Sequence, residues 1–343
     1  MNGMVERAIR TTSWRRAGRI LAGMVIASAV TGTAAANPDW WKARGWKTDF
    51  DQTAVAFTEI LSGGPPKDGI PSIDRPVFLP ASQDSTLEPL EPVIRLQVGD
   101  DIRAYPLRIL TFHEIVNDVV GGKPVAVTYC PLCNASLVFD RTVDGQVLEF
   151  GTTGMLRNSD LVMYDRTTES WWQQFTGQSI VGSYTGTQLK FIASRVESFE
   201  RFLAAHPDGQ VLQPDTGFSR PYGRNPYATY DTQGPIPGFV NPAKAGDNPM
   251  MRVVALKTAE KPFAVALPLL VEKGSITLGD GTVLSWVEGQ SSALDDSFIP
   301  TGRDVGNVTV QRPGANGLED VVHDITFAFA FRLFHPEGEI RVN

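Results

Sequence analysis

The sequence predicts a mainly β protein with a few short helices, an α+β fold, and three observations lead to this prediction. Glycine and proline are frequent, with 32 and 24 residues among 343, which is typical of a chain with many turns. Several short segments alternate apolar and polar residues, the pattern of half-buried strands. Apolar residues at helical spacing are rare and are confined to short stretches.

Residues 1–36 have the organisation of a signal peptide, which we expect to be removed. Arginines precede the apolar run "ILAGMVIASAV", and Ala34-Ala35-Ala36 fits a small-x-small cleavage site. The run is far shorter than the roughly 20 residues that span a bilayer, although an uncleaved anchor stays an alternative. We therefore expect a periplasmic or extracellular protein with no membrane span. A Sec-type signal fits better than a twin-arginine signal, which Arg15-Arg16 leaves open.

The charge of the mature chain excludes some classes of partner. Removal of residues 1–36 takes away five arginines and one glutamate, which lowers the net charge from −7 to −11. An acidic chain without a basic run is a poor candidate for binding nucleic acid. The sequence also shows no nucleotide or flavin signal, no zincin motif and no Ser-His-Asp order. It gives no indication of the oligomeric state.

The segment 37–90 reads as irregular, and the cysteine-bearing domain follows at 91–214. "PVIRLQVGD" and "DIRAYPL" predict a hairpin around Gly99-Asp100-Asp101. "LRILTFHEIVNDVVGG" predicts a short helix that Gly121-Gly122 ends, because its apolar residues recur at helical spacing.

Further elements follow in order along the cysteine-bearing domain. "PVAVTYC" predicts a strand, and "SLVFDRTVDGQVLEFG" predicts a hairpin turned by Asp144-Gly145. "LVMYDRTTESWWQQF" predicts another hairpin, and "SRVESFERFLAAHP" predicts a helix with Ser194 or Ser198 as its N-cap. The segment 215–249 is rich in proline, glycine and tyrosine and reads as an ordered crossing segment.

The segment 250–343 resembles the cysteine-bearing domain in three blocks that occur in the same order. "DIRAYPLRIL" resembles "KPFAVALPLL", "VTYCPLCNASL" resembles "LSWVEGQSSAL", and "SFERFLAAHPDGQV" resembles "FAFAFRLFHPEGEI". We predict two related halves from an internal duplication, against a chance alignment of short apolar patterns. The second half is degenerate, since Val287 and Gln290 replace the two cysteines. His206 and His335 are predicted to cap matching helix ends.

Cys130 and Cys133 are the only cysteines of the chain, and four interpretations compete for them. A structural disulfide would be weak, because it closes a very short loop. Inert buried thiols are unexpected in an oxidising compartment. Thiol–disulfide exchange fits the spacing, with Cys130 as the attacking thiol, but the flanking residues predict strands rather than a helix N-terminus. Metal binding is the fourth, since two thiolates supply half of a tetrahedral set.

Further metal ligands would come from elsewhere in the cysteine-bearing domain. His113 is the best candidate, because it precedes the strand that carries the cysteines, and Glu114 or Asp118 could orient it. Met163 is a possible thioether ligand for Cu(I), as is Met155. Each of these residues also has a structural interpretation, since a histidine beside an apolar face and a methionine in a strand commonly serve the core.

Four blocks resemble the signature of an exported bacterial and archaeal family known as domain of unknown function 3179. They are "HEIVNDVVGG", "VTYCPLCNASLVFDR", "RNSDLVMYDRTTESWWQQFTGQ" and "DTGFSRPYGRNPY". The resemblance covers roughly residues 90–343 and places His113, both cysteines, Met163 and Trp172 in shared blocks. It implies neither a substrate nor a reaction. The chain departs from the family in "FAFAFRLFHP", where relatives carry a more tryptophan-rich helix.

We therefore expect an exported protein with one Cys-x-x-Cys/His site that binds a soft transition metal, Cu(I) before Zn(II), for handling or sensing. The alternative is a thiol–disulfide oxidoreductase that works with a redox partner protein, and a third is an interaction module with incidental thiols. Whether the protein is an enzyme stays open. Metal binding would need both thiols and His113, whereas redox exchange would survive His113→Ala and be lost in Cys130→Ser.

Overall fold

The computed structural model describes residues 37–257, 261–315 and 317–343, and the predicted signal peptide lies outside them. Strand residues outnumber helical residues by 40% to 17%, which confirms a mainly β fold with short helices. The helices are α1 (Pro38–Ala43), α2 (Leu107–His113), α3 (Phe199–Ala205), α4 (Tyr230–Gln233), α5 (Pro242–Ala245), α6 (Leu267–Lys273) and α7 (Ala328–Phe334). Single 3₁₀ turns lie at Phe57–Glu59, Ala81–Gln83 and Ile299–Thr301.

The strands are numbered in chain order. Those before the crossing segment are β1 (Ile60–Ser62), β2 (Phe78–Pro80), β3 (Pro92–Val98), β4 (Asp101–Pro106), β5 (Ile115–Val120), β6 (Lys123–Cys130), β7 (Ala135–Asp140), β8 (Thr142–Val143), β9 (Gln146–Val147), β10 (Phe150–Arg157), β11 (Asp160–Asp165), β12 (Trp171–Gln173), β13 (Ser179–Val181), β14 (Lys190–Ile192), β15 (Ser194–Ser198) and β16 (Gln210–Leu212). Those after it are β17 (Arg252–Leu256), β18 (Phe263–Ala266), β19 (Ser275–Thr277), β20 (Val283–Val287), β21 (Asn307–Gly314), β22 (Gly317–Asp320), β23 (His323–Phe327) and β24 (Glu339–Arg341).

Five larger sheets and one two-stranded ribbon hold these strands together. Their orders are β1-β10-β11-β12-β13, β14-β7-β6-β5, β15-β3-β4-β16-β2, β23-β17-β18-β24, β19-β20-β21-β22 and β8-β9. The second of these sheets carries the cysteines at the end of β6, and the first carries the β10–β11 hairpin. The described residues, from 37 onward, form one compact unit. No helix in the described part of the chain is long and apolar enough to cross a membrane.

The local turn predictions are confirmed where short-range chemistry decides the conformation. Asp144 and Gly145 both have positive φ, of 48° and 78°, and they connect β8 to β9. This is the backbone that a two-residue hairpin turn of the Asp-Gly type requires. The predicted hairpin around Gly99 is β3–β4, and β11 pairs antiparallel with β12 as expected.

Two helix predictions were too long. Only residues 107–113 of the first are helical, and Ile115–Val120 is strand β5, paired with β6. Five of its six residues are buried, so the apolar run shows no two-residue alternation that would mark a strand. Likewise Ser194–Ser198 is strand β15, and helix α3 begins after Ser198. Ser198 holds the N-cap position, although its side chain makes no capping hydrogen bond with the residues described.

Two of the sheets share one order of strands and one set of strand directions. β3 pairs antiparallel with β15 and β4, and β4 pairs parallel with β16. In the later sheet β17 pairs antiparallel with β23 and β18, and β18 pairs parallel with β24. Each hairpin runs directly into a short helix, α2 or α6, and each outer strand runs into α3 or α7.

The registers of these sheets also correspond. Ser198 lies opposite Pro92 in the earlier sheet, and Phe327 lies opposite Arg252 in the later one. These are equivalent positions when the sequence blocks are aligned. Val93 pairs with Pro106, just as Val253 pairs with Ala266. The two regions thus agree in order, direction and register.

Candidate functional site

The two cysteines lie in the turn that joins β6 to β7. Cys130 is the last residue of β6 and pairs with Ala135, the first residue of β7. The backbone N–H of Asn134 donates to the carbonyl of Pro131 over 3.1 Å, which closes the turn. Asn134 has a φ of 53°, a left-handed conformation that asparagine tolerates better than most residues. The thiol of Cys130 donates to the carbonyl of Ser159 over 3.8 Å. The turn therefore holds both thiols on one side of the hairpin end.

The β10–β11 hairpin brings a carboxylate to the thiols. Asp160 is the first residue of β11, and it follows Asn158 and Ser159, whose φ angles are 55° and 65°. Two successive left-handed residues form the tight turn that matches the twist of paired strands. One ligand atom from each of Cys130, Cys133 and Asp160 lies within 4.8 Å of the others. The three side chains therefore form a compact donor group, the cysteine–aspartate group.

One oxygen of Asp160 is held and the other is unpaired. Oδ2 accepts from the backbone N–H of Phe175 over 2.9 Å and from Nε2 of Gln173 over 2.6 Å. Oδ1 is buried and has no hydrogen-bond partner among the described residues. A buried carboxylate oxygen without a partner is costly, and a bound cation would relieve that cost.

All three members of the cysteine–aspartate group are buried, with exposures of 1% for Cys130 and 0% for Cys133 and Asp160. Burial disfavours the charged forms, so it raises the pKa of both thiols. Burial also raises the pKa of Asp160, to about 7. Near neutral pH the thiols carry their protons, and any metal ion that binds must displace them.

Three further ionisable side chains surround the cysteine–aspartate group. Burial raises the pKa of Glu114 to about 8, and the charge of Asp160 adds to the increase. Burial lowers the pKa of Lys257 to about 8, while the charges of Asp324 and Asp160 oppose this change. The ammonium group of Lys257 donates to the carbonyl of Phe175 over 2.9 Å. Burial raises the pKa of Asp324 to about 6, and Lys257 opposes the increase.

The cysteine turn is covered by strand β23 and by the crossing segment. The carbonyl of Cys133 accepts from Oγ1 of Thr326 over 2.8 Å and from the N–H of Phe327 over 3.1 Å. Nδ2 of Asn134 donates to the carbonyl of Ile325 over 2.6 Å. The hydroxyl of Tyr230 donates to the carbonyl of Leu132 over 2.9 Å. These contacts fix the turn and separate it from solvent.

His113, the ligand predicted to complete the site, does not join the cysteine–aspartate group. Its Nδ1 lies 2.7 Å from the carbonyl of Pro71, and its Nε2 lies 2.7 Å from the hydroxyl of Tyr222. A carbonyl can only accept, so Nδ1 carries the proton and Nε2 accepts from Tyr222. Burial lowers the pKa of His113, in keeping with a neutral ring. Both nitrogens are thus engaged, Nδ1 with the N-terminal segment at Pro71 and Nε2 with the crossing segment at Tyr222.

The other predicted residues divide between two parts of the core. Met163 and Trp172 belong to the same buried cluster as the cysteines, whereas Met155 packs in another cluster around Trp171. Nε1 of Trp172 donates to the carboxylate of Asp165 over 3.0 Å. Asp118, a suggested partner of His113, instead accepts hydrogen bonds from Arg103 and Tyr105. Its carboxylate therefore anchors β4 to β5.

Sequence reasoning did not select Asp160 as a ligand. The residue lies in the block "RNSDLVMYDRTTESWWQQFTGQ", but the block offers many polar residues and no spacing that links one of them to the cysteines. The Asn-Ser dipeptide before Asp160 was the available signal, since it marks a turn that can aim the following side chain. Pairing of the two hairpin ends in space could not be read from the chain.

The arrangement offers three donors for a metal ion and two thiols for redox chemistry. Two thiolates and one carboxylate match three positions of a tetrahedral set. Thiol–disulfide exchange with another protein requires an attacking thiolate that the partner can reach. The raised pKa values and the burial of both thiols oppose that second chemistry.

Comparison with known proteins identifies the family. No curated protein and no solved structure matches the chain significantly. One family model matches residues 67–338, which is most of the chain, and its description reads "Protein of unknown function (DUF3179)". This match confirms the resemblance drawn from the sequence blocks. The chain belongs to the DUF3179 family.

Proposed function

We propose that this protein binds a single Zn(II) ion through Cys130, Cys133 and Asp160. The observation that carries the proposal is the cysteine–aspartate group itself, three donor atoms within 4.8 Å, with one buried carboxylate oxygen unpaired among the described residues. Thiolates and carboxylates both occur as zinc ligands. A water molecule would complete the set.

The donor types favour Zn(II) over Cu(I). From the sequence alone Cu(I) comes first, because the foreseeable ligands are thiols, a histidine and a thioether. A carboxylate is a harder ligand that suits zinc and is unusual for Cu(I). Met163 shares the buried cluster of the cysteines and keeps Cu(I) as the second candidate metal.

The charges around the group are compatible with a bound dication. Zn(II) with two thiolates and one carboxylate carries one net negative charge. The ammonium group of Lys257 lies close enough to influence both Asp160 and Cys133. Its positive charge offsets the excess and lowers the cost of burying the site. Metal binding must displace the thiol protons, so the raised pKa values lower the affinity for the ion, and more strongly as the pH falls.

The burial of the ligands favours a metal ion that stays bound over one that is transferred to another protein. Proteins that transfer a metal need ligands that a partner can approach, whereas these thiols are 0–1% exposed. A buried structural site forms as the chain folds and contributes to stability. We infer that the ion joins the cysteine turn to the β10–β11 hairpin. The sensing and handling roles expected from the sequence would then require opening of this region.

We also propose that the two halves arose by internal duplication. The support is the shared strand order, the shared directions and the corresponding registers of the β15-β3-β4-β16 and β23-β17-β18-β24 sheets. The agreement of three properties supports duplication over a chance similarity of short apolar patterns. We also propose that the protein is exported. The bounds of the cysteine-bearing domain at 91–214, of the crossing segment at 215–249 and of the second half at 250–343 are likewise our proposals.

The decisive experiment is the metal content per chain of the purified mature protein, measured by elemental analysis. Wild type is compared with Cys130→Ser/Cys133→Ser and with Asp160→Asn. Asp324→Asn serves as the matched control, because Asp324 is also a buried carboxylate but lies outside the cysteine–aspartate group. His113→Gln tests the ligand set expected from the sequence.

We expect nearly one zinc per chain in wild type, Asp324→Asn and His113→Gln. The double cysteine variant should contain none, and Asp160→Asn should release its zinc to a weak chelator. If His113→Gln lost its zinc while Asp160→Asn kept it, His113 rather than Asp160 would be the third ligand, as the sequence predicts. Metal-free wild-type protein with a Cys130–Cys133 disulfide would contradict the proposal and favour redox exchange. Metal-free protein with two reduced, dispensable thiols would favour an interaction module.

A further inference from the structure

An open pocket of about 590 Å³ lies next to helix α6 in the second half. This volume falls within the roughly 300–1,000 Å³ of ordinary small-molecule sites. Met250, Leu267, Val271 and Trp286 give the pocket an apolar wall, and Val271 is 42% exposed. The site is distinct from the cysteine–aspartate group, none of whose members lines it.

A buried arginine gives the pocket a specific polar feature. Arg252 lines the pocket and is 8% exposed. Its Nη2 donates to Oδ2 of Asp231 over 3.1 Å and to Oγ of Ser292 over 2.8 Å. Its Nε is buried and has no hydrogen-bond partner within the described part of the chain. A single guanidinium N–H that lacks a partner is a donor from which a carboxylate oxygen can accept.

Two arginines and one aspartate form a cluster beside the pocket. Asp231 accepts from both Arg252 and Arg303 through the same oxygen, Oδ2, over 3.1 Å and 2.9 Å. Two guanidinium groups therefore share one carboxylate. Arg303 also lines the pocket, and its side chain is 43% exposed. Within this cluster the guanidinium groups outnumber the carboxylate by one, so a single carboxylate of a ligand can pair with them.

Two acidic residues on the pocket wall limit the ligand to a single negative charge. The carboxylate of Asp304 already accepts three backbone N–H groups, from Gly289, Gln290 and Gly306, over 2.8 to 3.1 Å. Glu288 is exposed and adds a negative charge to the wall. A ligand with a second anionic group would be repelled there, whereas an apolar chain would pack on Leu267, Val271 and Trp286.

From these features we propose that the pocket binds a monocarboxylate with an apolar chain, its carboxylate on Arg252 and Arg303 and its chain against α6. The proposal does not depend on a metal at the cysteine–aspartate group. It assigns the second half a ligand site of its own, at the end of β20 that corresponds to the cysteine-bearing end of β6.

The test is isothermal titration of the purified protein with decanoate, decanol and acetate. Decanoate carries both the charge and the chain, decanol lacks the charge, and acetate lacks the chain. Val271→Glu places a negative charge on the exposed apolar wall, and Val147→Glu is the matched control on β9, where Val147 is 52% exposed. Arg303→Gln removes one of the two guanidinium groups without leaving Asp231 unpaired, since Arg252 stays.

We expect decanoate to bind at one site per chain, at least about tenfold more tightly than decanol or acetate. Val271→Glu should abolish this binding and Val147→Glu should leave it unchanged. Arg303→Gln should weaken decanoate about tenfold and leave decanol unaffected. Equal affinities for decanoate and decanol would overturn the proposal, as would no binding or equal binding by Val271→Glu and wild type.

Discussion

The two halves of this protein share a scaffold but differ at one end of it. In both halves a hairpin and an outer strand form a sheet whose fourth strand runs parallel, and a histidine ends the second helix. The difference lies after β6 and β20. Cys130 is followed by a tight turn into β7, whereas Val287 is followed by the long connection 288–306 into β21. The cysteine–aspartate group also needs the β10–β11 hairpin, which has no counterpart among the described residues of the second half.

This contrast teaches that the proposed metal site is an addition to the scaffold rather than a property of it. The sheet supplies a strand end where a turn can be placed. The thiols come from the sequence of that turn, and the carboxylate comes from a separate sheet. Under the proposed duplication, the half that lacks both additions could build a different pocket at the corresponding strand end.

The largest expected effect is the loss of zinc-dependent stability in Cys130→Ser/Cys133→Ser. An ion held at a thousandfold excess over its dissociation constant stabilises the folded state by about 4 kcal/mol. We expect zinc to raise the free energy of unfolding of wild type by about this amount, measured by denaturant titration with and without EDTA. The cysteine variant should unfold at one denaturant concentration under both conditions.

The matched change in the second half is Val287→Ser, at the position equivalent to Cys130. Val287 is 43% exposed, so the substitution should change stability by less than about 0.5 kcal/mol and keep the zinc dependence. If EDTA does not alter the unfolding of wild type, the site contributes nothing to the stability of the fold. The two halves would then not differ in metal-dependent stability.

A smaller effect is expected where the second half contacts the cysteine turn. Thr326→Val removes the hydroxyl that donates to the carbonyl of Cys133 but keeps the shape of the side chain. We expect a loss of about 1–1.5 kcal/mol in the free energy of unfolding. The control is Thr309→Val in β21, because the hydroxyl of Thr309 makes no hydrogen bond with the described residues. Equal effects of the two substitutions would mean that this contact does not stabilise the turn.

The histidines that end α3 and α7 predict a difference in pH dependence. Both are C-cap residues, as expected, and both backbone N–H groups donate over 2.8 Å to a phenylalanine carbonyl of the preceding helix. Burial lowers the pKa of His335 to about 4, and it also lowers the pKa of His206. A base whose folded pKa is depressed contributes stability above its unfolded value, about 6.5, and loses it as pH falls toward the folded value.

We therefore expect the free energy of unfolding to fall between pH 6.5 and pH 4 and His335→Gln to remove part of that fall. Solvent reaches the ring, so we expect an effect of about 1 kcal/mol. His206→Gln should remove less, because its ring is less deeply enclosed. Denaturant titrations at several pH values measure both. A larger effect of His206→Gln would reverse the expected order of the two caps.

The last prediction is that cysteines placed at the same spacing in the second half bind no zinc. Val287→Cys/Gln290→Cys, built on the Cys130→Ser/Cys133→Ser variant, restores the Cys-x-x-Cys spacing in the second half. Without the carboxylate that the β10–β11 hairpin supplies, we expect the chain to contain no zinc by elemental analysis. Zinc in this variant would show that the spacing alone makes a site, and the hairpin would then be dispensable.

The sequence predicted those parts of the fold that local chemistry decides. The Asp144-Gly145 turn, the strand entering Cys130 and the β-hairpin after Cys133 could all be read from turn residues and alternation. Ile115–Val120 could not, because a strand buried on both faces carries a continuous apolar run that a helix can also show. Pairing with β6 decides its conformation, and that pairing is tertiary.

The candidate site was only half predictable for a related reason. Cys130 and Cys133 are marked by their spacing and by their being the only cysteines. His113 is close to them in sequence, but its ring nitrogens contact Pro71 and Tyr222. Pro71 lies far before His113 in the chain, and Tyr222 lies far after it. Asp160 reaches the thiols because two hairpin ends from different sheets meet. Neither a periodicity nor a motif of the sequence indicates that these two hairpin ends lie in contact.

The cover over the cysteine turn has a consequence for the order of folding. Cys133 and Thr326, joined by a hydrogen bond, are 193 positions apart in the chain. Such distant contacts form late, because the connecting loop must close first. The turn and the β10–β11 hairpin can therefore come together while strand β23 is still unplaced. The ion that we propose would enter during this interval, and the buried site would then be loaded as the chain folds.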